Sequence, residues 1–350
     1  LKTIEINWYD KKSSIFVGEP LRSLTRHLFG QRTVIITDLN VRAIYGHRFP
    51  PCPVIEIGTG ESAKTLDTVR EIYERLMNLE VDRSWFVVGI GGGVVCDVAG
   101  FAASTYMRGV RFGFVPSTLL SQVDASVGGK NGVNFHAFKN MVGTFRQPEW
   151  VMCDTALLKT LPKAELRSGL AEAIKTAAIG DEQFFSFMEE RCGEVLDLEP
   201  EAVERVVYDA VKVKAAIVNR DAEEQGERRK LNFGHTLGHA IEKTSSLSHG
   251  EAVSLGMSIA SSLSVKRGYL AEGEAARILN LLDRIGLPTR AAFDMDHVLD
   301  AVRRDKKRQG EKIRFVLLRK IGEALIEDIP LPELEEEIKN VNGATNSRRS

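Results

Sequence analysis

Trp85-Phe86-Val87-Val88-Gly89-Ile90-Gly91-Gly92-Gly93-Val94 is the stretch that decides the fold class. Its aromatic and β-branched opening reads as a buried strand. A glycine turn, Gly89–Gly93, follows directly, and Val94–Tyr106 then carries a helical pattern. Strand, glycine turn and helix together let backbone N–H groups and a helix N-terminus hold a pyrophosphate. The spacing is not GxGxxG: the last glycine is absent, and no acidic residue stands about 20 positions on to take a ribose hydroxyl. A tight turn with close packing is the alternative reading of the same glycines.

Working outward, the strand signal recurs at Val34-Ile35-Ile36-Thr37, Val54-Ile55-Glu56-Ile57 and Phe112-Gly113-Phe114-Val115. Residues 61–79 intervene, with Leu66, Val69, Ile72, Tyr73 and Leu76 at helical spacing. This alternation predicts a mostly parallel sheet covered by helices, with ligands beyond the carboxyl ends of the strands. From about residue 161 the segments 163–179, 181–196, 200–220, 235–244, 249–268, 271–285 and 294–304 read as helices, and strand signals nearly vanish until Ile313–Leu318. The expected organisation is an α/β domain over 1–160, an all-α domain over 161–340 and a polar, disordered tail over 341–350.

The bulk properties exclude several classes. A length of 350 residues suits two domains. A net charge of −1 gives no reason to expect nucleic-acid or anionic-membrane binding. Cys52, Cys96, Cys153 and Cys192 are widely spaced with no CxxC, which suits a reducing compartment. Leu1–Ile6 has no signal-peptide core, and no apolar run approaches the ~18 residues of a membrane span. A cytoplasmic protein is expected.

Three of the seven histidines crowd together. His235 and His239 are one helical turn apart and share a face, and His249 follows in Ser248-His249-Gly250-Glu251. That clustering points to a metal, and a catalytic zinc commonly takes three protein ligands. HExxH is absent, because Thr236 follows His235. Glu172, set among small and apolar residues in Ser168–Lys175, is a third candidate, since a carboxylate there needs a partner. Lys175, one turn on, is the competing partner, and His239 with Glu242 also fits a plain i,i+3 pair. Spacing does not choose between His235 with His239 and His235 with His249.

Other polar positions fall where a ligand approaches such a sheet. Asp38 ends a strand, Asp97 lies one turn into the helix after the glycines, and Gly60-Glu61-Ser62-Ala63-Lys64 opens a helix. Each of these also fits an ordinary turn or helix face. Ser117-Thr118, Asp124, Gly128-Gly129-Lys130 and Lys139-Asn140 form a polar stretch that suits a phosphorylated ligand, or else a solvated loop.

Gly91-Gly92-Gly93-Val94-Val95-Cys96-Asp97, Tyr106-Met107-Arg108-Gly109, Val123-Asp124-Ala125-Ser126-Val127-Gly128-Gly129-Lys130, Ala171-Glu172-Ala173-Ile174-Lys175, Leu231–His239 and His249-Gly250-Glu251-Ala252-Val253 together closely resemble the 3-dehydroquinate synthase family. The motifs stand in the family's order over roughly residues 30–330. The resemblance implies a Rossmann-like NAD domain, a helical metal domain and an active site between them. It implies conversion of 3-deoxy-D-arabino-heptulosonate 7-phosphate to 3-dehydroquinate and phosphate in the shikimate pathway. The implied route is transient oxidation by catalytic NAD+, phosphate β-elimination, reduction, ring opening and intramolecular aldol addition.

By the same resemblance Glu172, His235 and His249 are the ligands of Zn2+ or Co2+, and His239 passes to the substrate side. Asp38, Glu61, Lys64, Gly92, Gly93, Asp97, Ser117, Thr118, Lys130, Lys139 and Thr160 match NAD-side positions. Asp124, Lys130, Asn140, Lys175, Lys214, Arg228, Asn232, His239 and Lys306 match substrate-side positions. Lys214 and Arg228 are expected near the substrate carboxylate, and Lys130, Asn140, His239 and Lys306 near its phosphate. Arg108 matches an arginine that reaches the neighbouring subunit's site, which implies a homodimer. The chain departs from the family at Cys96 and Phe138, where glycine is usual, and at Ser117, where threonine is usual. The rival readings are a sibling sugar phosphate cyclase, a metal-dependent polyol dehydrogenase and a non-catalytic metal- or NAD-binding protein.

Overall fold

The computed structural model describes residues 1–8, 11–28, 30–136, 138–291, 294–303, 308–309 and 312–347. The strands are β1 (Lys2–Trp8), β2 (Lys11–Val17), β3 (Thr33–Asp38), β4 (Val54–Ile57), β5 (Phe86–Gly91), β6 (Arg111–Pro116), β7 (Lys130–Phe135), β8 (Phe138–Phe145), β9 (Trp150–Cys153), β10 (Arg308–Gln309), β11 (Lys312–Lys320) and β12 (Glu323–Pro330). The helices are α1 (Leu24–His27), α2 (Leu39–Tyr45), α3 (Leu66–Asn78), α4 (Gly93–Thr105), α5 (Lys163–Gly180), α6 (Glu182–Glu190), α7 (Cys192–Leu196), α8 (Pro200–Arg220), α9 (His235–Thr244), α10 (His249–Lys266), α11 (Glu272–Ile285), α12 (Met295–Arg303) and α13 (Leu331–Ser347). The chain divides into two compact units, Leu1–Leu166 with Pro200–Glu223, and Arg167–Glu199 with Glu224–Ser350.

The first unit is built on a seven-stranded sheet in the order β1-β2-β9-β6-β5-β3-β4. All neighbours pair in parallel except β1 with β2. The apolar strand cores predicted from sequence are buried, including Val34–Ile36, Phe86–Val88 and Phe112 with Phe114. Gly89 lies within β5 and not in the turn: a Cβ there would sit 3.1 Å from Ala99 Cβ, so its absence lets α4 press onto the sheet. The turn itself is short, with Gly92 as N-cap of α4. From β3 the sheet grows toward β4 on one side and toward β5 on the other. That reversal is the switch point where open parallel sheets bind ligands.

Two parts of this unit depart from the sequence reading. Helix α8 groups with the sheet and not with the other C-terminal helices. Its Val203, Val206, Val207, Ala210 and Val211 face is buried, Asn219 Oδ1 accepts from Asn7 N at 2.8 Å, and Lys2 Nζ lies 4.8 Å from the Tyr208 ring centre. The polar stretch 117–140 is more ordered than a solvated loop. A π-helical turn, Ser121–Ala125, leads into the antiparallel hairpin β7–β8, which packs on α4 through the buried Asn131 and Val133. Asn131 Nδ2 donates to the Gly129 and Arg146 carbonyls at 3.1 and 2.8 Å, closing the base of that hairpin.

The second unit is mostly helical, but the all-α expectation is corrected by the three-stranded antiparallel sheet β10-β11-β12. Strand β11 joins the helices through Leu318 N, which donates to Ser264 Oγ on α10 at 3.0 Å. The tail expected to be disordered from residue 341 continues α13 as far as Ser347. Buried Leu331, Leu334 and Ile338 anchor that helix, and each added residue then extends it at little cost. Among the described residues no helix is long and apolar enough to cross a membrane.

Candidate functional site

The second unit brings Glu172, His235 and His249 together, with one donor atom from each lying within 4.8 Å of the others. Each comes from a different helix. Glu172 sits mid-way along α5, His235 opens α9 and His249 opens α10. Missing side chains make the close crossings possible. A Cβ on Gly256 would fall 1.9 Å from the Gly234 carbonyl oxygen, and one on Gly250 would fall 2.4 Å from Ser168 Cα. Ser248 and Glu251 form a capping box that starts α10 at the histidine, with Ser248 Oγ 2.6 Å from Glu251 Oε2.

Both imidazoles direct Nε2 at one carboxylate oxygen. Glu172 Oε1 is 3.2 Å from His235 Nε2 and 3.0 Å from His249 Nε2. The other oxygen, Oε2, is 2.5 Å from Lys175 Nζ. Lysine and histidines therefore share the carboxylate, and the two partner readings of Glu172 are compatible. Burial would raise the Glu172 carboxyl, but Lys175 and the two histidines hold it well below the usual range. Each Nδ1 has an acceptor of its own: the Phe233 carbonyl at 3.2 Å for His235 and Glu242 Oε2 at 3.3 Å for His249.

This donor set fits a divalent metal. Burial pushes the His235 imidazole down toward its neutral form. A neutral ring has one proton for two facing acceptors, so one contact sets lone pair against lone pair. A cation between Nε2 and Glu172 relieves that contact, while Nδ1–H stays on the Phe233 carbonyl. His249 answers differently. Against the effect of burial, Glu172 and Glu242 push it up to about 10, so it is a cation until a metal replaces its Nε2 proton. The set is one carboxylate and two imidazoles, a ligand count and type that suit zinc or cobalt with a position left for substrate.

His239, the obvious helical partner of His235, lies beside the group, its ring centre 5.2 Å from that of His235 and 6.2 Å from that of His249. It is not among the converging donor atoms. Arg228, in the turn before α9, is almost wholly buried, and Asn232 Nδ2 donates to Glu224 Oε1 at 3.0 Å. Lys306 lies outside the described residues.

In the first unit the NAD-side candidates gather on the loops that follow the strands' carboxyl ends. Asp38 ends β3 and caps α2 through Val41 N at 2.9 Å. Glu61 and Lys64 follow β4, Gly92 and Gly93 follow β5, Ser117 and Thr118 follow β6, and Thr160 follows β9. A Cβ on Gly92 would meet Thr118 Cγ2 at 3.1 Å, so two adjacent loops close on each other there. Lys64 is buried and pairs with Asp97, whose carboxyl is raised by burial with the lysine opposing. Thr160 Oγ1 lies 2.7 Å from the Tyr45 hydroxyl.

The hairpin carries the substrate-side candidates Lys130 and Asn140 and the NAD-side candidate Lys139. Lys130 begins β7, and Lys139 and Asn140 stand near the start of β8, all three exposed. Asn140 holds a left-handed backbone, φ 51°, and its N–H donates to Asn134 Oδ1 at 2.9 Å. Asn134 Nδ2 in turn donates to Glu61 Oε1 at 2.8 Å. The Lys139–Asn140 path is thus fixed by Asn134 without the glycine usual at position 138. Lys214 Nζ donates to the Asp124 carbonyl and to Oδ1, both at 2.7 Å. Arg108 is exposed on a corner where Met107, Arg108 and Gly109 all have positive φ. Sequence reasoning missed Asn134 and the ring contacts of Phe233 and Glu242. Glu242 had a signal, since it lies one turn beyond His239.

A parallel sheet with a glycine turn at its switch point and a helical unit with a partly buried Glu-His-His centre define the class, a metalloenzyme built on a nucleotide-binding sheet. Residues 54–168 match the family model described as 3-dehydroquinate synthase N-terminal, and residues 169–308 match that of 3-dehydroquinate synthase C-terminal. The 3-dehydroquinate synthase of Dehalococcoides mccartyi (strain CBDB1) is 42% identical over 95% of this chain and 98% of its own. A 2-deoxy-scyllo-inosose synthase structure with carbaglucose-6-phosphate, NAD+ and Co2+ superposes with a TM-score of 0.86 at 26% identity, over 97% of this chain and 100% of that one. The 2-epi-5-epi-valiolone synthase of Streptomyces hygroscopicus subsp. jinggangensis 5008, with NAD+ and Zn2+ bound, has a TM-score of 0.86 at 28% identity, over 98% of this chain and 100% of that one. The chain belongs to the 3-dehydroquinate synthase family.

Proposed function

We infer that the protein is a 3-dehydroquinate synthase, a phosphorus–oxygen lyase that closes 3-deoxy-D-arabino-heptulosonate 7-phosphate to 3-dehydroquinate and releases phosphate. The observation that carries this is the Glu172, His235 and His249 centre in a chain 42% identical to a 3-dehydroquinate synthase over 95% of its length. When bound, NAD+ supplies reversible hydride transfer and a zinc or cobalt ion supplies polarisation of the substrate's oxygens.

The chain's own residues divide the remaining work. Glu172, His235 and His249 hold the metal, and Lys175 keeps Glu172 ionised. Asp38, Glu61, Lys64, Gly92, Gly93, Asp97, Ser117, Thr118, Lys139 and Thr160 hold the nucleotide. In the first unit Lys130 and Asn140 serve the phosphate, and Lys214, oriented by Asp124, serves the carboxylate. In the second, His239 serves the phosphate, while the buried Arg228, with Asn232, serves the carboxylate. Lys306 is assigned to the phosphate with them. Holding the flexible enol in one conformer for ring closure is a positioning task for these groups.

The two carboxylate-directed cations favour this reaction over the sibling cyclases, whose substrates lack that group. Heptulosonate phosphate with NAD+ and zinc should yield dehydroquinate, and a hexose 6-phosphate should yield no cyclised product. The reverse preference would overturn the assignment. The same reading carries a cytoplasmic homodimer in which Arg108 reaches the neighbouring copy's site. Arg108→Ala should depress turnover without dissociating the dimer in sedimentation, and a monomeric active enzyme would contradict it.

A further inference from the structure

We infer that Glu242 is a positioning residue of the metal centre, fixing the ring of His249. The inference rests on the metal reading above and concerns how tightly the metal is held. The two histidines are restrained in different ways. His235 is buried within α9, and its Nδ1 faces a main-chain carbonyl, Phe233 O, that no side-chain substitution removes. His249 is the first residue of α10, and its side chain is 32% exposed, so the helix leaves its ring freer to turn. The group facing its Nδ1 is the carboxylate of Glu242, at 3.3 Å.

Glu242 reaches that position from α9, one turn beyond His239, with its side chain only 16% exposed. A carboxylate accepting from Nδ1–H does two things for a ligand histidine. It commits the ring to the tautomer that leaves Nε2 for the metal, and it makes Nε2 a stronger donor. Of the two histidine ligands, His249 is therefore the one whose ring orientation depends on a replaceable side chain.

The test is metal binding, which needs no substrate and no turnover. Purified full-length protein is stripped of metal, and Co2+ affinity is measured by competition with a chromophoric chelator. The visible d–d spectrum of the Co2+ form is recorded alongside. Glu242→Ala should weaken Co2+ binding about 10- to 100-fold and shift the visible bands. Glu242→Gln keeps an acceptor of the same shape without the charge, so it should fall between wild type and Glu242→Ala and should recover most of the spectrum. It also keeps the question open to test if the alanine variant misfolds. Wild-type affinity and an unchanged spectrum in a folded Glu242→Gln and Glu242→Ala pair would overturn the role of Glu242 alone. Failure of the wild-type protein to bind Co2+ would overturn the metal reading together with it.

Discussion

Asn134 donates to Glu61 Oε1 at 2.8 Å and accepts from the Asn140 N–H at 2.9 Å, so one side chain ties the β7–β8 hairpin to the loop after β4. Glu61 is an NAD-side candidate and Asn140 a substrate-side candidate. Each bond has a net worth of about 0.5–1.5 kcal/mol. Asn134→Ala should weaken NAD+ binding and raise the KM for heptulosonate phosphate, each by about 3- to 10-fold. Calorimetric NAD+ titration and steady-state kinetics check this. Wild-type values in both would remove the tie from the account.

Lys175 stands against the buried Glu172 at 2.5 Å. Truncating one partner of a buried ion pair typically costs about 3–5 kcal/mol, because the other charge is stranded. Lys175→Met should show a loss of that order in urea unfolding of metal-stripped protein. The loss should shrink when Zn2+ is added, since a dication then faces the same carboxylate and its binding favours the folded form. An equal loss with and without Zn2+ would contradict the shared-carboxylate geometry.

At Gly250, α10 approaches α5 closely. A methyl group there would lie 2.4 Å from Ser168 Cα, a backbone atom that cannot rotate away. Gly250→Ala should cost about 1–3 kcal/mol through overpacking. Because His249 is adjacent and Glu172 is one turn from Ser168, Zn2+ affinity should fall by more than tenfold in the same variant. Thermal unfolding and chelator competition on one preparation test both.

The histidine shifts give a signed pH dependence. In metal-free protein His249 is raised to about 10, so it carries a proton across the neutral range that a metal must displace. Metal affinity should therefore rise with pH, by up to about tenfold per unit below that value. Calorimetry in buffers of different ionisation enthalpy should show close to one proton released per metal at neutral pH. No proton release between pH 6 and pH 9 would contradict it. The same shift stabilises the metal-free fold, fully below the unfolded value of about 6.5. That contribution is lost as pH rises through about 10.

How far the sequence alone could lead is set by the range of the interactions. Strands β3, β5 and β6 announced themselves because buried parallel strands are continuous apolar runs, and edge strand β4 did so through its β-branched residues. Hairpin β7–β8 did not, because Asn131, Gly132, Asn134, Asn140 and Gly143 dilute the strand signal, and of its apolar residues Val133 is buried while Phe135, Phe138, Met141 and Phe145 are exposed. The unused signal in β1 was the alternation of Ile4, Ile6 and Trp8 with polar residues. In the metal site, local spacing pointed to His235 and His239 as readily as to His235 and His249. Crossings such as those at Gly250 and Gly256 bring Glu172 and His249 to His235, and such contacts between distant segments leave no local period. Motif resemblance supplied that ligand set, and in the fold one donor atom of each of the three residues lies within 4.8 Å of the others. Asn134 and Glu242 act on neighbours in space, which a one-dimensional pattern does not display.

The central claim is a reaction that uses NAD+ and zinc yet leaves no net oxidation. The most direct measurement supplies heptulosonate phosphate in large excess over NAD+, with Zn2+-loaded protein, and follows phosphate, dehydroquinate and absorbance of reduced nicotinamide together. Phosphate and dehydroquinate should form in equal amounts, many turnovers per NAD+, without accumulation of NADH. NADH formed one for one with consumed substrate, ending when NAD+ is exhausted, would contradict the assignment and mark the protein as a dehydrogenase.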